Sequence, residues 1–152
     1  MRVAIGSDHA GFVLKERVKA ELMKMGHEVQ DVGTDSAEKS VDYPDFAIPV
    51  GERVASGRAD RGVVMCATGI GASIAANKVH GVRASVVTSD ETARLTRTDN
   101  DSNVLALGGR SNPDHAAQLQ WLRTWLDTPF GGGRHQRRVD EITAYEDAPH
   151  GA

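Results

Sequence analysis

One cysteine, Cys66, stands in a chain of 152 residues, so an internal disulfide is excluded. It has no Cys-x-x-Cys partner, and no His-x3-His pair accompanies it, so the spacing that builds a zinc site is missing and no metal is implied. An excess of one charge is missing too. Lys and Arg number 18 against 21 Asp and Glu, a net charge of −3 with the signs interspersed, so there is no basic footprint for nucleic acid or a membrane surface, and small ligands are the expected partners. No apolar run approaches the ~20 residues of a membrane span. The first residues, Met1-Arg2-Val3-Ala4-Ile5-Gly6-Ser7-Asp8, turn polar too soon for a signal peptide, which sets the expectation of a cytoplasmic protein. A chain of this length suits one domain, 1–152, burying about 70% of its unfolded surface.

What the sequence does contain is an alternation of short β-branched runs with segments of helical period, the pattern of βαβ units and a parallel sheet. Strands are expected at 3–5, 29–32, 62–66, 82–87 and 103–107. Helices are expected at 11–25, where Phe12, Leu14, Val18 and Leu22 recur and Gly26 stops the run, and at 45–56 after Tyr43-Pro44. Further helices are expected at 71–78, at 89–98 with Ser89 or Asp90 as cap, and at 113–126. Beyond Pro129-Phe130-Gly131-Gly132-Gly133 comes a basic cluster, a short helical tail and an end expected to fray. Five parallel strands with helices on both faces predict a doubly wound α/β sheet of Rossmann-like type, with the order 2-1-3-4-5.

In such a sheet the ligand crevice lies at the carboxyl ends of the strands where the winding reverses, between the first and third strands. The loops that meet there are Ser7-Asp8-His9-Ala10 and the stretch from Cys66 to Ser73. Cys66 closes an apolar strand immediately before glycines and a helix, where backbone amides and the helix dipole converge and would stabilise a thiolate or another anion. The competing reading is a small buried hydrophobe that ends a strand. A Walker A loop is excluded because no lysine follows the glycines at the required place. A cysteine phosphatase would need an arginine where Ala72 stands, and a phosphoryl-accepting receiver would need Asp and Lys where Cys66 and Gly108 stand.

Six motifs in order carry a resemblance: Gly6-Ser7-Asp8-His9-Ala10-Gly11, Asp42-Tyr43-Pro44, Cys66-Ala67-Thr68-Gly69-Ile70-Gly71, Ile74-Ala75-Ala76-Asn77-Lys78, Asn100-Asp101-Ser102-Asn103-Val104 and Gly132-Gly133-Arg134-His135-Gln136. Spanning nearly the whole chain, they resemble the type B ribose-5-phosphate isomerases, a family that includes the galactose-6-phosphate isomerase subunits. The resemblance implies an aldose–ketose interconversion of a phosphorylated sugar through an enediolate, with no metal or organic cofactor. It implies Cys66 as the base. A free thiol is mostly protonated at neutral pH, and a helix N-terminus with nearby cations brings it into range. The amides of Gly69, Gly71 and Ser73 are implied as the anion hole, and Thr68 as the hydroxyl working with the thiol, against the alternative of a simple helix cap.

By the same resemblance, Arg134 and Arg138, with Arg110 and His9, bind the phosphate; the alternative for the basic cluster is a solvated face. Arg137 is expected to be exposed. Asp8 and Tyr43 would contact sugar hydroxyls, with capping and core packing as their other readings. These sites lie between subunits in the family, so Asn100 and a C-terminal arm from about residue 129 are expected to serve a partner's pocket in a homodimer, with pairing of dimers into tetramers left open.

One position departs from the pattern. Where most relatives carry a histidine that opens the furanose ring, this chain has Asp99. An ionised carboxylate accepts a proton more readily than it gives one. Either Asp99 opens the ring less efficiently, or the substrate is acyclic, such as erythrulose 4-phosphate. A reading from another class is a non-catalytic sugar-phosphate sensor, which would keep the arginines and tolerate loss of the thiol.

Overall fold

The computed structural model describes residues 1–149, so the end expected to fray lies outside the described residues. Its elements run β1 (Arg2–Ser7), α1 (Phe12–Lys24), β2 (Glu28–Asp31), α2 (Pro44–Ala55), β3 (Arg61–Cys66), α3 (Ile70–Ala76), β4 (Ala84–Val86), α4 (Asp90–Thr98), β5 (Val104–Gly108), α5 (His115–Asp127) and α6 (Arg134–Asp147). Local chemistry sets several boundaries. Ser89 caps α4 in a reciprocal capping box with Thr92, Asp114 accepts the Ala117 N–H at the start of α5, and Pro44 opens α2 where a missing N–H costs nothing.

All pairings in the sheet are parallel, in the order β2-β1-β3-β5-β4. The expected order 2-1-3-4-5 is therefore corrected at its far edge, where the last two strands exchange places. Burial supplies the reason. β5 is five apolar residues buried on both faces and fits an interior position, whereas β4 is three partly exposed residues and fits an edge. The reversal of winding remains between β1 and β3, so the expected crevice is unaffected.

Side chains alternate across the sheet, as a period of two requires. Val3, Ile5, Val63, Met65, Leu105 and Leu107 pack with α1, α4 and α5, around the fully buried Trp125. Ala4, Val64, Val104 and Ala106 pack with α2 and α3, and Cys66 belongs to this second layer. The tail is longer than expected: α6 has 14 residues and folds back along its own chain, burying Val139 and placing Glu146 on the Gly81 N–H. Among the described residues, no helix is long and apolar enough to cross a membrane.

Candidate active site

The carboxyl ends of β1, β3 and β5 are laced together by backbone bonds. Gly109 N–H donates to the Cys66 carbonyl at 2.8 Å, and the amides of Arg110 and Ser111 both donate to the Ala67 carbonyl at 3.0 Å. The loop after β1 lies against β3, with Gly11 packed directly on Met65. Asp8, His9, Cys66, Thr68, Gly69, Gly71, Ser73 and Arg110 are thus gathered on one edge of the sheet, as the sequence led us to expect. Tyr43 joins them from the start of α2. Its half-exposed ring lies over Gly71, so close that a Cβ there would fall 2.7 Å from it.

Within this cluster the thiol has a distinct setting. Cys66 is 4% exposed, and its Sγ accepts the Gly69 N–H at 3.2 Å. Gly69 adopts a left-handed φ of 80° to do this, and a Cβ there would also sit 3.0 Å from the backbone of Leu107. Gly69→Ala is expected to cost about 1–2 kcal/mol in stability, measured by urea denaturation, and to lower turnover by displacing the N–H from sulfur. Thr68 is exposed, with its Oγ1 accepting the Ile70 N–H, and so it acts as a local cap while its own proton stays available. Ser73 is more committed. Its amide donates to the Gly69 carbonyl and its hydroxyl to Ile70, so the first-turn amides left without an intrahelical acceptor are those of Gly71 and Ala72. The Asp8 carboxylate, nearly buried, accepts the Gly11 N–H, and His9 holds the backbone of Val41 through Nδ1.

The remaining candidates lie elsewhere. Asp99 and Asn100 precede β5, and β5 runs parallel to β3 with Gly62 opposite Val104 and Cys66 opposite Gly108. They therefore sit at the amino edge of the sheet, about 13 Å from the thiol's edge at ~3.3 Å per residue. Arg134 and Arg138 open α6 beside them, because Gly131 N–H donates to the Thr98 carbonyl and ties the arm to the end of α4. Both arginines are exposed, as is Arg137. Asp99 accepts from the Thr98 hydroxyl at 2.8 Å and has His135 Nε2 at 3.6 Å. One chain thus holds two candidate half-sites, a thiol edge and an arginine edge, that it does not bring together.

The sequence model of the ribose/galactose isomerases matches residues 3–142. The chain belongs to this family. It is accordingly an isomerase. It is 46% identical to ribose-5-phosphate isomerase B of Escherichia coli over 145 residues, 95% of this chain and 96% of that one. A Clostridium thermocellum ribose-5-phosphate isomerase B structure superposes with a TM-score of 0.93 at 51% identity, covering 96% of this chain and 97% of that chain. A Mycoplasma genitalium ribose-5-phosphate isomerase B, solved with bound ribulose-5-phosphate, gives a TM-score of 0.90 at 39% identity, with 95% of each chain covered.

Residues of the isomerase that the sequence did not single out brace the loops at both edges. Arg97, 3% exposed, bonds the Asp101 carboxylate and the Ser102 carbonyl, while Arg83 holds the carbonyls of Asn100 and Asp101. Trp125 Nε1 donates to the Ser102 hydroxyl. Together they fix the loop that carries Asp99 and Asn100, with Asp101 in a left-handed conformation at φ 47°. Burial first, then Arg97, lowers the pKa of Arg61 below the usual arginine value, a sign of how crowded with cations this edge is. On the other edge, the fully buried Gln118 donates to the carbonyls of Gly108 and Asn112, stapling the loop that carries Arg110. The signal for these residues was faint, a charged or amide side chain at a core position of an amphipathic helix. Among the described residues no cluster of His, Cys, Asp or Glu could hold a metal ion.

Proposed function

We propose that this isomerase interconverts ribose 5-phosphate and ribulose 5-phosphate through an enediolate, with Cys66 as the base and two copies of the chain completing each site. The observation that carries the reading is the Gly69 N–H directed at Cys66 Sγ, which fixes the sulfur just ahead of a helix and beside the loops of β1 and β5. Moving a proton between C1 and C2 needs such a base, with donors placed where charge develops on oxygen. Thr68 and the first-turn amides of Gly71 and Ala72 stand ready for that role. The likeness to a relative that holds ribulose-5-phosphate supports a five-carbon substrate.

A homodimer follows from the separation of the half-sites. Arg134, Arg138 and Asn100 of one copy would bind phosphate and sugar in the pocket whose thiol belongs to the other, with the arginine forks suited to phosphate. Ile70 and Ile74 support this arrangement. Each is 56% exposed, one helical turn apart on α3, and they form an apolar stripe beside Thr68 and Gly71 that a second copy would cover.

Asp99 favours a second reading, in which the preferred sugar is an acyclic tetrose phosphate that needs no ring opening. The deciding measurement compares kcat/KM for ribose 5-phosphate and erythrulose 4-phosphate. A higher value for the pentose is expected, and a clear preference for the tetrose would overturn the pentose assignment.

A further inference from the structure

We propose that Asp99 and His135 form a dyad that opens the furanose ring, with His135 as the acid and Asp99 as the base. The inference rests on the reading just given, and it assigns to His135 a catalytic role beyond its place in a basic cluster. Its starting point is the geometry of the arm. Gly131 donates its N–H to the Thr98 carbonyl at 3.0 Å and approaches so closely that a Cβ would fall 2.8 Å from that oxygen. The chain then turns through Gly132 and Gly133, both at positive φ, and enters α6 with His135 facing inward. His135 is 18% exposed on its side chain, and the buried Val139 lies one turn further along the same face. Arg134 and Arg138, themselves one turn apart, lie along the adjacent exposed face.

This packing leaves the His135 imidazole 3.6 Å from the Asp99 carboxylate, whose Oδ1 also takes the Thr98 hydroxyl proton. The carboxylate is 40% exposed, so a ligand can reach the pair, and both members lie next to Asn100 and the two arginines assigned to the substrate. A phosphate gripped by those arginines would hold the sugar ring within reach of both groups.

A carboxylate and an imidazole at this spacing complete ring opening without a co-reactant. The C1 hydroxyl gives its proton to Asp99 while the electrons of that O–H bond become the C1=O double bond. The bond from C1 to the ring oxygen O4 breaks, its electron pair staying on O4, and O4 takes a proton from protonated His135. The products are the open-chain aldehyde, a protonated Asp99 and a neutral His135. One proton passing from Asp99 to His135 restores the pair. Histidine is the side chain best suited to giving and regaining a proton near neutral pH, so a lone aspartate is relieved of the acid role it performs poorly.

The test separates ring opening from proton abstraction. Ribulose 5-phosphate cannot close a five-membered ring, because its phosphate occupies O5, and exchange of deuterium from solvent into its C1 reports the enediolate step alone. His135→Asn and His135→Gln are expected to lower kcat/KM for ribose 5-phosphate by about 100-fold while leaving that exchange within about 3-fold of the unaltered enzyme. Glutamine keeps an N–H donor, so it would rescue a phosphate-binding or packing role but not proton donation. Equal losses in the two assays, rescue by glutamine, or no loss in either would each overturn the dyad. Brisk exchange with no turnover of ribose 5-phosphate by the unaltered enzyme would also overturn it while leaving the Cys66 base intact. Absence of exchange in the unaltered enzyme would defeat the proposed function itself.

Discussion

Replacing Cys66 by alanine is expected to lower kcat/KM for ribose 5-phosphate by about 10³-fold while leaving the fold and substrate affinity nearly unchanged. The two halves of this expectation have separate causes. The sulfur is small, 4% exposed, and packed in an alanine- and valine-rich layer, so its loss removes one modest apolar contact and one N–H acceptor. Stability should fall by roughly 1 kcal/mol, visible as a small shift in urea midpoint. Binding is carried instead by arginines and backbone amides that the substitution does not touch, so calorimetry should still detect ribulose 5-phosphate. Serine in place of cysteine keeps the volume and can still accept the Gly69 N–H, yet its hydroxyl ionises far less readily, and the same collapse of turnover is expected. A sensor reading of the chain predicts unchanged binding too but no turnover in the unaltered protein, and the wild-type assay separates the two. Retention of more than about a tenth of the activity in Cys66→Ala would remove the thiol from the mechanism.

How much of this was legible in advance depends on the range of the interactions involved. The β-α alternation and most boundaries are local, written in apolar period and in caps such as Ser89 and Asp114, and they stand within a few residues of expectation. The gathering of Asp8, Cys66 and Arg110 followed from topology, because a parallel sheet sends the ends of β1, β3 and β5 to one edge. The exchange of β4 and β5 was not legible, since adjacency is decided by which strand tolerates burial on both sides, and the three-residue Ala84–Val86 could not be judged against its competitor until both were packed. Ser73 shows a different limit. The resemblance implied its amide for the anion hole, whereas the left-handed turn at Gly69 starts the helix early enough to supply Ser73 with an acceptor. The basic arm was visible as composition, but the course it takes depends on Gly131 meeting the Thr98 carbonyl, a contact between segments over thirty positions apart.

The division into two edges yields the second large effect, in which two dead proteins become active together. Cys66→Ala spoils the thiol edge and leaves the arginine edge whole; Arg134→Ala with Arg138→Ala does the reverse. In a two-fold dimer each pocket would join the thiol edge of one copy to the arginine edge of the other. A hybrid of the two variants therefore holds one pocket with both lesions and one with neither. Random pairing of equal amounts makes half of all dimers hybrids, so the mixture is expected to recover about a quarter of the unaltered activity. Each variant alone should stay near the background set by losing the base or the phosphate grip. The recovery should appear only after co-expression or after the copies are separated and re-paired, and it should scale with the hybrid fraction resolved by native mass spectrometry. If exchange demonstrably forms hybrids and activity stays at background, the pocket is not shared between copies. The ~13 Å between the two edges of β5 would then have to be bridged by movement within a single chain.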